Sequence, residues 1–160
     1  MQPEALDSPA ESLASTASPG EIDRDTQDDL ALPGARARLY IKQIRAAGEP
    51  YPLEKVMAKA TEFSTEGSLA DAHLVFFFAA RAQHVEAMMT MGEMSDPTLF
   101  SAENNLMDHP DPVQAYKWYR MALDKGFEPA RDRLQNLQRW AKSEASYGNI
   151  AAQQLLLNFN

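Results

Sequence analysis

An all-α fold is predicted, with antiparallel helix hairpins stacked as a short α-α superhelix behind a disordered acidic tail. Three features of the 160-residue sequence carry that expectation. Acidic residues crowd into the first 34 positions, apolar residues then recur at helical spacing between Pro and Gly stops, and one pattern of small and large apolar residues occurs twice. No run alternates apolar and polar residues between turn signals, so a sheet is not expected.

The tail is taken as residues 1–34 and the helical-repeat domain as 35–160. The tail holds eight acidic residues (Glu4, Asp7, Glu11, Glu21, Asp23, Asp25, Asp28, Asp29), Arg24 as its one cation, and repeated Pro, Ser and Ala. Such a stretch buries too little apolar surface to offset its ordering entropy. Its net charge is −7 against −8 for the whole chain, so the remainder is close to neutral. Nucleic acid is therefore not an expected partner, because the folded part offers phosphates no excess of cations and the tail repels them.

Cysteine is absent, which excludes disulfides, thiolate metal sites and cysteine nucleophiles. The opening residues have neither a basic nor an apolar leader segment. The longest strongly apolar run, Leu74 to Ala80, is far shorter than the ~20 residues of a membrane span. The chain is expected to be soluble, and cytoplasmic, or periplasmic if a signal has been removed.

Seven helices follow from the periodicity. Leu39, Tyr40, Ile44 and Ala47 mark a first helix that stops at Gly48. Leu53, Val56, Met57, Ala60 and Phe63 form the stripe of a second, ending near Gly67. Ser68 is placed to cap a third, which runs to about Gln83 and is apolar around most of its circumference, as a helix buried on two sides would be. A fourth covers Val85 to about Met94, and a loop follows. Asp111, Pro112 and Gln114 then supply a capping side chain, a first-turn proline and a capping-box partner for a fifth helix that ends at Gly126. Pro129 opens a sixth with Leu134, Leu137, Trp140 and Ala141 on one face, and a last short helix from Ala151 to about Leu157 is expected to cap the stack.

The internal repeat aligns Ala72 with Ala115, Phe76 with Tyr119, Ala79 with Ala122, Gln83 with Gly126, Ala87 with Ala130 and Met91 with Leu134. Alanines let the helices of a hairpin approach closely, the aromatic fills the gap to the next hairpin, and glycine permits a left-handed turn. Asp111, Ala115, Trp118, Tyr119, Ala122, Gly126, Ala130 and Leu134 resemble the Sel-1-like branch of the tetratricopeptide-type repeats. In the earlier copy Ala72, Ala79, Ala87 and Met91-Gly92 fit the same pattern, with Gln83 where the family has glycine; Gly148, Ala152 and Leu156 echo it a third time. The resemblance implies an adaptor that binds proteins on a concave helical surface.

Candidate site residues are few. Trp118 and Tyr119 are neighbours and point different ways on a helix. Tyr119 aligns with Phe76 and is assigned to the core, which leaves Trp118, with Tyr116 and Arg120, as the expected exposed contact for a partner. Arg36, Arg38, Lys42 and Arg45 form a basic strip on the first helix, read first as a solvated face within reach of the acidic tail, and second as a contact for a partner or an anionic membrane. His73 and His84 lie about 16 Å apart on a continuous helix, too far to share a metal. Met88, Met89, Met91 and Met94 offer soft sulfur for Cu(I), yet Met91 already has a core place in the repeat and methionine commonly fills gaps. Asp23-x-Asp25 opens like a calcium loop but lacks the required glycine and glutamate.

No nucleophile motif, phosphate loop or ligand constellation is present in the sequence, so no catalytic, cofactor or metal residue is assigned and the chain is not expected to be an enzyme. The expected function is a protein-binding scaffold with a protein or peptide partner. A structural subunit of a larger, envelope-associated assembly ranks second, and an enzyme or metal carrier of unrecognised type ranks third.

Overall fold

The computed structural model describes residues 29–159, and among these there are helices and no strands. Most of the expected disordered tail lies outside the described residues. Residues 29–31 form a helical turn, and Pro33 and Gly34 lead into α1. Seven α-helices follow: α1 (Ala35–Ala47), α2 (Leu53–Thr65), α3 (Leu69–Arg81), α4 (Val85–Ser95), α5 (Pro112–Asp124), α6 (Pro129–Ser146) and α7 (Ile150–Leu156). Short 3-10 turns occupy Ala102–Asn104 and Leu157–Phe159. From α2 onward each helix packs against the next, while α1 docks on α3 and α5 also touches α7.

Small side chains set the packing distances. Ala60, Ala79, Ala87, Ala115, Ala122 and Ala130 are completely buried, and larger residues such as Phe63, Met88, Tyr119, Leu137 and Leu155 fill the spaces between helix pairs. Met88, Met89 and Met91 are buried core residues, which gives three of the four clustered methionines a packing role. All six aligned residue pairs of the internal repeat occupy matching environments. The apolar five pairs are buried in both copies, and Gln83 and Gly126 both stand in the left-handed region, at φ 71° and 85°.

Both residues end their helices in the same way. Gln83 N–H donates to the Ala80 carbonyl and His84 N–H to the Ala79 carbonyl, each at 3.0 Å; Gly126 and Phe127 repeat this with Leu123 and Ala122 at 2.8 and 3.0 Å. These are Schellman turns, and Gly67 and Gly148 close α2 and α6 with the same pair of bonds.

Two helix starts are built differently from expectation. Ser68 makes no capping bond to α3, because its hydroxyl accepts from the Arg36 guanidinium instead. The start of α1 follows Gly34, which has no side chain to cap with, so the buried Asp71 on α3 accepts the Ala37 N–H at 2.7 Å. At α5 the expected cap is present: Asp111 Oδ1 accepts from Val113 and Gln114 N–H at 3.1 and 3.0 Å.

The long α4–α5 connection is held at both ends. Asp96 is fully buried; its Oδ2 accepts the Tyr119 hydroxyl at 2.9 Å, and its Oδ1 accepts Thr98 N–H and hydroxyl at 2.8 and 2.7 Å. Asp111 N–H donates to the Ser95 carbonyl at 3.0 Å, which brings the start of the loop beside its end. Burial, the neighbouring Asp96 carboxylate and the hydrogen bond to it all push the Tyr119 phenol well above its ordinary pKa.

Candidate functional site

Along α1, Arg38, Ile41, Lys42 and Arg45 follow one another at i, i+3, i+4 and i+7, which places them on a single face. Leu74, Phe77, Phe78 and Arg81 repeat the same spacing on α3. Because α1 docks chiefly on α3, the two faces meet as the walls of an open groove of about 460 Å³ lined by these eight residues.

The floor is apolar and the rim is cationic. Phe78 is buried, while Phe77 keeps 42% of its surface exposed, unusual for a large aromatic in a helix otherwise packed on several sides. The Arg45 guanidinium lies over the Phe78 ring at 5.5 Å, and the edge of Trp118 supports Phe77 from α5, with ring centres 6.0 Å apart at 89°. Four cations and no carboxylate line the groove, and among the described residues none of the four forms an ion pair. Arg38 donates to the Pro33 carbonyl at 3.2 Å.

The basic strip therefore divides. Arg36 turns away from the groove, pairs with Glu66 at 3.0 Å and Asp71 at 3.7 Å, and stacks over Phe63 at 4.7 Å. It latches α1 to the α2–α3 turn. Arg38, Lys42 and Arg45 remain at the groove, joined by Arg81 from α3.

The three residues expected to meet a partner do not form one surface. Trp118 is only 4% exposed, so the expectation of an exposed indole is corrected: α5 is covered on two sides, Tyr119 facing α4 and Trp118 facing Phe77. Tyr116 and Arg120 share the other side of α5, where they line a second concavity with Arg131, Leu134 and residues of the C-terminal 3-10 turn. That concavity is already satisfied internally. The Tyr116 hydroxyl donates to the Asn158 carbonyl at 2.7 Å and its ring meets Phe159 at 4.9 Å, while Arg120 pairs with Asp124 at 3.1 Å and Arg131 with Glu128 at 3.0 Å.

His84 supports structure: its Nδ1 accepts the Ala87 N–H at 3.4 Å at the start of α4, and its Nε2 lies 3.4 Å from Glu54. His73 is held below its ordinary pKa by burial. Among the described residues no three histidine or carboxylate side chains gather as a metal site would require, and no helix is long and apolar enough to cross a membrane.

The groove combines apolar side chains with a cationic rim, a surface chemically complementary to negative charge beside a bulky apolar group. Its shape comes from pairing α1 with α3, helices that are not consecutive in the sequence, which the spacing of neither helix reveals alone. A scan against protein-family models matched none, and searches of curated proteins and of solved structures returned no significant match.

Proposed function

We propose that this protein is a protein-binding scaffold whose docking site is the α1–α3 groove, and that the site takes a short acidic peptide segment bearing one large apolar residue. The observation that carries the reading is Phe77, half open at the floor of a groove rimmed by Arg38, Lys42, Arg45 and Arg81. An apolar anchor supplies affinity by leaving water, and carboxylates on either side select among partners and speed encounter. The likeness to Sel-1-like repeats and to a short superhelix supports the same role. It rests on the matched burial of the two hairpins and on their matched Schellman turns.

A peptide display library panned on the full chain and counter-panned on a Lys42→Glu/Arg45→Glu variant tests the reading. Wild type is expected to enrich acidic sequences with Leu, Ile or Phe between the charges, and the variant is expected to lose them. Enrichment of the same peptides by both would place the site elsewhere.

A structural subunit is favoured by a different observation. Tyr147, Ile150 and Leu157 are 84%, 69% and 73% exposed at the α7 end of the stack, where a further helix would find apolar surface. Self-association that Ile150→Lys abolishes would support stacking at that end, and a monomer at high concentration would count against stacking between copies of the chain.

A further inference from the structure

The groove's complement is written in the same chain. Residues 21–29 read Glu-Ile-Asp-Arg-Asp-Thr-Gln-Asp-Asp, five carboxylates against one guanidinium, with Ile22 as the apolar residue between two of the acids. Without Asp29, which stands in the helical turn that leads into α1, the stretch carries a net −3 against the four groove cations. Residues 1–28 lie outside the described residues, and we infer that the stretch around Ile22 is the resident occupant of the α1–α3 groove and competes with any partner for it. The inference rests on the docking reading above, since it uses the same groove and the same chemistry.

The tether favours it. Leu30 to Pro33 lie beside Arg36, Ser68 and Asp71, at the starts of α1 and α3, and the Pro33 carbonyl receives the Arg38 guanidinium. The chain is therefore delivered to the Arg38 end of the groove. Arg38 to Arg45 spans about 10 Å of helix, and the seven residues from Asp29 back to Ile22 reach up to about 23 Å when extended. Ile22 can thus reach Phe77 and the Arg45–Arg81 end.

Held by so short a link, the segment acts at an effective concentration of about a millimolar, so weak contacts suffice to fill the site for part of the time. The carboxylate contribution is exposed and screened over about 8 Å at physiological salt, which makes occupancy fall as salt rises. A partner segment must then outcompete the tethered one, and its apparent affinity falls by the fraction of groove left open.

The 160-residue chain has no cysteine, so Thr26→Cys gives one site in it for a nitroxide label. Paramagnetic broadening is expected at the amides of residues 38–45 and 74–81, absent around Tyr147, and relieved by Lys42→Glu/Arg45→Glu or by 0.5 M salt. Broadening that is uniform, or that misses the groove, overturns the inference.

A second arm separates this failure from failure of the docking reading. Full chain with Glu21→Gln, Asp23→Asn, Asp25→Asn and Asp28→Asn is titrated with an enriched acidic peptide beside the unaltered chain. Peptide binding strengthened by a few-fold to about tenfold supports resident occupancy. Equal binding to both refutes occupancy and leaves the docking reading standing, whereas labelled-segment contact without peptide binding to either chain supports occupancy and refutes docking of external partners.

Discussion

Gly92 has no side chain because the ring of Tyr119 stands where one would be: a Cβ there would sit 2.6 Å from Tyr119 Cδ1. That ring is fully buried, and its hydroxyl holds the buried Asp96 at the mouth of the α4–α5 loop, so the contact cannot be relaxed by moving Tyr119 outward. Gly92→Ala is expected to lower stability by about 1–3 kcal/mol in urea unfolding, the ordinary range for overpacking. The phenol also sets a pH limb. Its raised pKa means that the folded state keeps a proton which the unfolded chain loses above about pH 10. The stability it contributes is complete below that value and is lost as pH rises beyond it. Unfolding midpoints measured from pH 8 to 11.5 should fall more steeply for wild type than for Tyr119→Phe; equal slopes would remove Tyr119 as the cause. At this scale the sequence alignment placed Tyr119 in the core correctly, but it did not show Asp96, whose importance depends on a partner twenty-three positions away.

Helix ends carry the next level of organisation. Gln83 and Gly126 occupy equivalent Schellman turns, yet only one is glycine, and a left-handed conformation costs a non-glycine residue roughly 1–2 kcal/mol. Gln83 partly offsets this through an exposed contact of its amide oxygen with Lys125. Gln83→Gly is accordingly expected to raise stability by up to about 1 kcal/mol, and Gly126→Gln to lower it by about the same amount or more. Opposite signs in chemical denaturation would establish the two turns as equivalents; a loss in both would make the Lys125 contact dominant. Helix positions were legible because Pro, Gly and Asp stops bracket strong apolar periodicity: α1 begins at Ala35 and ends at Ala47, α5 begins after Asp111, and Gly126 closes it. Ser68 was misread since a cap requires its hydroxyl to be free, and Arg36 from another helix takes it. The start of α1 was illegible as a cap for the converse reason, its capping carboxylate being Asp71 on α3.

Across the whole molecule, α1 packs chiefly on α3, which is not its neighbour in sequence, and that pairing creates the groove. Six of its residues were visible in the sequence as two unrelated signals, Arg38, Lys42 and Arg45 in a basic strip and Leu74, Phe77 and Phe78 in an apolar run read as buried on two sides. Their meeting depends on tertiary pairing, which periodicity along one helix does not encode. Tyr116 and Arg120, singled out in the sequence as neighbours of Trp118, line a concavity whose Arg120 and Arg131 are paired with carboxylates and whose half-buried Tyr116 packs on Phe159. A titration that sets the two concavities against each other decides between them: one acidic, apolar peptide enriched on the full chain is added to wild type, to Lys42→Glu/Arg45→Glu and to Arg120→Glu, at low and physiological salt. Docking in the α1–α3 groove requires a loss of roughly tenfold or more for the α1 variant, wild-type affinity for Arg120→Glu, and weaker binding at higher salt. Loss at Arg120 with the α1 variant unchanged would contradict it and move the binding surface to the α5–α6 side.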